Sequence, residues 1–273
     1  MSDAEKPLNK KDKNRLKDGR GTGNGVDYVA FIRVGEFDSS GESVRVKSTS
    51  VGRVHHFHSG IELAAFLIFD RNRTTVDIRE QYPIPLDDTL NICRQLGIRH
   101  PQTKGELHIV STDLLIDLRG GKQIAIAVKN AKDLDDERIL EKLQIEKAYW
   151  EGTGVNWYVF TEREVSAALK ANLKWLKPFL DIDTQKAYSL TEDDAYSLIS
   201  RIQQYPNNLV TKLCGRLDDE YQVEPGFHIE ALRFSVALGY IEAPIDKHFT
   251  EWVCAELIDS VGGIARRGSS YAS

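Results

Sequence analysis

Apolar and polar positions alternate most regularly between Leu107 and Asn130, in LHIVSTDLLIDLRGGKQIAIAVKN, where two aliphatic runs flank Arg119-Gly120-Gly121. Alternation with a period of two marks a strand, and paired glycines between two such runs mark a hairpin turn. In the second run Ile124, Ile126 and Val128 fall on one face. Gln123, Ala125, Ala127 and Lys129 fall on the other, which is expected to be open. Closing the hairpin about Gly120-Gly121 places Asp113 opposite Lys129 or one residue from it, so a carboxylate and an ammonium share one small site.

Around this hairpin the pattern predicts an α/β domain. VDYVAFIRV, SVRVKS and GRVHHFH read as three short β-like runs of an antiparallel flap or sheet edge. His55, His56 and His58 within the last run are split between strand faces, which suits a structural or DNA-backbone role better than a metal site. SGIELAAFLIFD predicts a helix with a broad apolar face through Ile61, Ala64, Ala65, Leu67 and Ile68. Its Ser59 and Glu62 have the spacing of a capping box, and Glu62 reads either as that cap or as a second carboxylate turned toward Asp113. TTVDIREQYPI predicts a strand ended by Pro83 and Pro85, followed by a helix from Asp87, as cap, to Gly97. After the hairpin, DDERILEKLQIEKAYW predicts a helix with Ile139, Leu140, Leu143 and Tyr149 inward, and VNWYVFT a buried strand. Glu80 and Lys142 read as solvated surface charges.

Around Val165 the pattern turns mainly helical, punctuated by Pro178, Pro206 and Pro225. HIEALRFSVALGYIEAPID reads as a helix running through Gly239 into a short β segment, as a winged helix runs into its wing. Charge changes that picture. Residues 168 to 273 hold 11 Lys/Arg against 15 Asp/Glu, the wrong balance for gripping phosphates, so a protein partner is expected there. Residues 1 to 25 carry seven Lys/Arg against four Asp/Glu and end in GRGTGNG, which predicts a flexible basic arm. That arm reads equally as a solvated tail or as a segment that grips DNA. The expected organisation is therefore an arm over 1–25, an α/β domain over 26–167 and a helical, winged-helix-like partner-binding domain over 168–273.

The 273 residues, 41% hydrophobic and 28% charged, fit a soluble globular protein with room for two cores. No apolar run approaches the ~20 residues of a membrane span, and the N-terminus lacks a leader's apolar segment, so no membrane is expected. Three widely spaced cysteines, Cys93, Cys214 and Cys254, form no CxxC pair and suit a reducing cytoplasm.

An Asp, a hairpin, then x-Lys resembles the core of the PD-(D/E)xK nuclease superfamily, although the same pair alone reads as a cross-strand surface salt bridge. The blocks GRGTGNGVDY, GRVHHFHSGIELAAFL, DIREQYP, HPQTKG, STDLLID and AVKNAKDLDDERILEKLQIEKAYW resemble, in order and spacing, the TnsA endonucleases of heteromeric cut-and-paste transposons. The resemblance implies a restriction-endonuclease-like mixed sheet flanked by helices. It places the family's catalytic Glu, Asp and Lys on Glu62, Asp113 and Lys129, with Mg²⁺ held by Glu62, Asp113 and the carbonyl of Val128. It further implies a Mg²⁺-dependent endonuclease that cuts the 5′ strands at transposon ends. Its partners would be transposon-end DNA, a TnsB-like transposase and a TnsC-like ATP-dependent regulator. One position departs: the family's Gln of the Q-V-K triplet is Ala127. Either Val128 and waters complete the metal shell, or a carboxylate of the next helix, Glu141 or Glu146, reaches in. The remaining alternative is that cleavage is weakened and the chain serves as a docking subunit.

Overall fold

The computed structural model describes residues 6–36, 43–182 and 190–260. The chain divides into two units, Met1–Val44 with Val51–Glu164, and Arg45–Ser50 with Val165–Ser273.

In the first unit, helix α1 (Lys10–Lys17) is followed by a glycine-rich loop. Residues 6 to 25, expected within a flexible arm, are ordered. Asn9 caps α1, and Leu107 N–H donates to Pro7 O while Asn9 N–H donates to Leu107 O, each at 2.9 Å. The loop has little room: a Cβ on Gly21 would lie 2.1 Å from Pro83 Cγ, and one on Gly23, at φ +88°, 2.4 Å from Asp27 O. VDYVAFIRV forms no strand, and instead Tyr28, Ala30 and Phe31 are buried in irregular backbone. Strand β1 (Val44–Lys47) belongs mostly to the second unit, and β2 (Val54–Phe57) to the first.

Helix α2 (Gly60–Asp70) starts where Ser59 Oγ accepts from Glu62 N–H, and it buries Leu63 through Leu67. Then come β3 (Thr75–Pro83), α3 (Leu86–Leu96), the short pair β4 (Gln102–Thr103) and β5 (Glu106–Leu107), and the hairpin β6 (Ser111–Leu118) and β7 (Lys122–Val128). Helix α3 begins one residue before Asp87 without a side-chain cap and ends on left-handed Gly97. Helix α4 (Glu137–Gly152), capped by Asp136, crosses over to β8 (Asn156–Phe160). The sheet order is β3-β6-β7-β8, antiparallel except for the β7–β8 pair, so the sheet is mixed. Helix α2 packs against β3, β6 and β7. Trp150 of α4 packs on Leu115 and Ala125.

Two expected burial patterns shift. Helix α4 turns Leu143, Ile145 and Trp150 inward and leaves Leu140 exposed, because the stripe that meets the sheet is centred one position further round. Strand β8 is a sheet edge rather than a buried strand, and Tyr158 on it is exposed.

In the second unit, α5 (Ala167–Leu180), α6 (Glu192–Gln204), α7 (Val210–Tyr221) and α8 (Phe227–Ala237) are followed by β9 (Ile241–Glu242), which pairs with β10 (Ile258–Asp259). Buried Trp252 donates to two backbone carbonyls, and buried Asn172 bonds Ile245 O, Lys247 O and Phe249 N–H. Val46 of β1 bridges Asp181 in this unit. Among the described residues no helix is long and apolar enough to cross a membrane.

Candidate active site

The hairpin closes over a three-residue loop, with Leu118 opposite Lys122 and both Gly120 and Gly121 at positive φ, as its sequence dictates. The register Leu114↔Ile126, carried one step on, puts Asp113 opposite Ala127, two positions short of Lys129. The expected pairing is therefore displaced, yet the long lysine side chain reaches back. Lys129 Nζ lies 3.0 Å from Asp113 Oδ2 and 2.7 Å from Val128 O. Nor is the lysine's face open: Ala125 and Ala127 beside it are fully buried.

Asp113 is held on both oxygens. Val128 N–H donates to Oδ2 at 2.6 Å, and Gln81 Nε2 donates to Oδ1 at 3.0 Å, itself oriented by a 3.1 Å hydrogen bond from Ser111 Oγ. Gln81 stands on β3 at φ +49°, a left-handed conformation that non-glycine residues seldom adopt and that the surrounding sheet must enforce. Nothing in the sequence pattern marks this residue.

Glu62 takes the capping position. Its carboxylate accepts from Ser59 Oγ at 3.0 Å and from His58 N–H at 3.1 Å, closing a cap on α2. Burial and then the negative charge of Asp113 raise its pKa to about 7, so it is also electrostatically part of the Asp113 site. Of the two glutamates considered on α4, Glu141 pairs with Arg138 at the surface, whereas Glu146 is buried and accepts from Thr112 Oγ1 at 3.1 Å. Thr112 is fixed in turn by Trp150 Nε1 at 2.7 Å. Burial raises Glu146 to about 7, against the pull of Lys129 and with the push of Asp113. Burial disfavours the charge on Lys129, but Asp113 and Glu146 outweigh it and raise the ammonium to about 12.

The other candidates are structural. Glu80, expected at the surface, is buried, takes both Arg53 Nη atoms and His55 Nδ1, and is held well below the usual carboxylate range although burial opposes this. His56 Nδ1 accepts from Val34 N–H. His58 keeps a buried Nε2 with no partner, and burial lowers its pKa against the charge of Asp113.

Among the described residues no three His, Cys, Asp or Glu side chains converge at metal-ligand spacing. The fit to a divalent cation rests on charge and donor type. Three carboxyl groups, Glu62, Asp113 and Glu146, act on one ammonium, and burial, reinforced by the charge of Asp113, raises Glu62 and Glu146 to about 7. Lys129 Nζ bridges Asp113 Oδ2 and Val128 O, the two oxygens expected to face a metal. Carboxylate and carbonyl oxygens are the donor type that a hard divalent cation takes.

The sequence comparisons point to one family. Residues 72–162 match the family model "TnsA-like endonuclease N terminal", and residues 164–245 match "TnsA endonuclease C terminal". Asp113, Lys129 and Glu146 lie inside the first match, whereas Glu62 precedes it. The chain is similar to Transposon Tn7 transposition protein TnsA of Escherichia coli, 37% identical over 245 residues and covering 89% of each chain. With a mixed α/β sheet, matches to both halves of the family and identity along nearly its whole length, the chain belongs to the TnsA endonuclease family.

Proposed function

We propose that the chain is a Mg²⁺-dependent endonuclease subunit that cuts the 5′ strands at transposon ends, beside a TnsB-like transposase and under a TnsC-like ATP-dependent regulator. The observation that carries this reading is the Lys129 ammonium held 3.0 Å from Asp113 Oδ2 and 2.7 Å from Val128 O at the end of the β6–β7 hairpin, inside the segment that matches the endonuclease family. Glu62, Asp113 and Val128 O would hold the cation. When bound, Mg²⁺ supplies neutralisation of the phosphodiester and acidification of an attacking water. Lys129, whose ammonium Asp113 and Glu146 favour, would stabilise charge growing on the phosphoryl oxygens. Glu146, raised to about 7 by burial, is a group able to take up a proton near neutral pH. Gln81 and Ser111 orient Asp113.

Helices α6 to α8 and the β9–β10 ribbon support a winged-helix-like C-terminal domain. Its acidic balance favours a protein partner over DNA. A second reading, a docking subunit with weakened cleavage, is favoured by Ala127, whose buried methyl offers no metal contact. The two part in a nicking assay on end-bearing plasmid with Mg²⁺, with and without the transposase and regulator. We expect little nicking by the chain alone, because residues 26 to 167 hold 18 Lys/Arg against 22 Asp/Glu and attract a polyanion poorly. Strong stimulation by the partners is expected, with breaks mapping to 5′ strands. No breaks with partners present would favour the docking reading, and robust sequence-independent cutting by the isolated chain would overturn the dependence on partners.

A further inference from the structure

The charges of α1 divide by face. At 3.6 residues per turn, Asp12 and Arg15 share the side turned toward the rest of the unit, and both are buried. Lys10, Lys13 and Lys17 share the opposite side, and all three are exposed. The buried pair is consumed internally. Asp12 accepts from Asn9 Nδ2 at 2.6 Å, from Arg15 Nη1 at 2.6 Å and from Ile109 N–H at 2.9 Å, while Arg15 Nη2 reaches Glu36 at 2.9 Å. What faces solvent is an i, i+3, i+7 row of ammonium groups about 10 Å long. Among the described residues none of the three has a carboxylate partner.

The row is also placed. The anchors of α1, Leu107 and Ile109, lie immediately before β6, so Asp113 follows Ile109 by four residues, about 13 Å of extended chain. Arg15 and Glu36 both act electrostatically on His58, as does Asp113. The helix therefore stands at the end of the sheet that holds the candidate site, in a unit otherwise acidic.

We infer that α1 is a preformed clamp for the DNA backbone, in which Lys10, Lys13 and Lys17 neutralise phosphates of a duplex lying across the Asp113 site. The inference rests on the nuclease reading and names how its substrate is held. Regularly spaced ammonium groups with Asn14 between them suit a phosphate row, and the one exposed apolar side chain of α1, Leu16, is a single residue rather than the cluster of anchors a protein partner would call for.

The test is binding of the full chain to a duplex of about 30 base pairs by fluorescence anisotropy, with Ca²⁺ replacing Mg²⁺ so that binding is read without cleavage. Salt is varied from about 50 to 200 mM. Each phosphate neutralised contributes about 0.9 to the slope of log affinity against log salt, so the triple variant Lys10→Ala/Lys13→Ala/Lys17→Ala is expected to flatten it by about 2.7. The control Lys122→Ala/Lys142→Ala/Lys147→Ala removes the same charge from exposed positions elsewhere and should change it by less than about 1. An unchanged slope, equal flattening in both variants, or no measurable binding by the unsubstituted chain at ~50 mM salt would each overturn the clamp. Cleavage is scored separately in Mg²⁺ with partners: its failure alongside a flattened slope overturns the nuclease reading and leaves the clamp standing.

Discussion

If Glu62 helps to hold a cation, metal capture and proton release are one event. A carboxyl titrating near 7 is ionised in about one molecule in eleven at pH 6 and about ten in eleven at pH 8. A cation that uses Glu62 binds the ionised form, so apparent affinity should rise about tenfold between those pH values, roughly 1.4 kcal/mol. If Glu146 must also lose its proton, the rise approaches a hundredfold. The sign of the apo stability follows from the same shifts. The native chain keeps these protons up to about pH 7, while the unfolded chain releases them near the ordinary glutamate value. The two groups therefore favour folding most at acid pH, and that contribution is lost as pH rises through 7. Added Ca²⁺ or Mg²⁺ should restore it, with a larger rise in melting temperature at pH 8 than at pH 6. Calorimetric titration with Ca²⁺ in two buffers of different ionisation enthalpy counts the protons directly: about one or two per metal at pH 6, nearly none at pH 8. Equal affinity at both pH values with no proton release would refute the linkage, as would a Glu62→Gln chain with undiminished pH dependence.

Asp113→Ala should abolish cleavage and also lower stability by about 1–3 kcal/mol, since Val128 N–H, Gln81 and Lys129 lose their acceptor. Retained nicking in the partner assay would remove Asp113 from the chemistry. Lys129→Met should cost cleavage heavily, and an unchanged rate would reduce the lysine to a structural ion pair. Glu80→Gln strands the buried Arg53 guanidinium and should cost about 3–5 kcal/mol in urea unfolding, while a loss below ~1 kcal/mol would show that water reaches the pair. Gly23→Ala should lower the melting temperature well beyond Gly25→Ala, because only the former forces a Cβ onto a backbone carbonyl; equal shifts would refute the crowding.

The hairpin, its turn and the two site residues it carries were legible because period-two alternation and paired glycines are local signals. The register was not, since two positions of error are invisible to a side chain as long as lysine. Between Glu141 and Glu146, the two carboxylates offered for α4, the sequence held a reason to prefer Glu146: it lies three residues after Leu143 and four before Trp150, on the buried stripe, where a lone glutamate is anomalous. Choosing Leu140 as inward rotated that stripe away from it. Composition misread residues 6–25 because it counts Asp12 and Arg15 as solvated charges, whereas each neutralises the other inside the fold. Glu80 failed for the same reason: its partners Arg53 and His55 are 27 and 25 residues away, beyond any local pattern.

Residues 45–50 leave the first unit, join the second through the Val46–Asp181 bridge and the Ile182 N–H bond to Arg45 O, and return at Val51. The two halves are thus stitched by three crossings of the chain rather than hinged on one. A fragment cut at residue 164 would keep this excursion but lose its bridge partner, so the nuclease half is not a clean excision and should be trimmed by proteases near residues 45–50. The thread that enters the first unit at Val51 reaches Arg53 after two residues and Glu62 after eleven, so the helix that bears Glu62 begins within a dozen residues of that crossing.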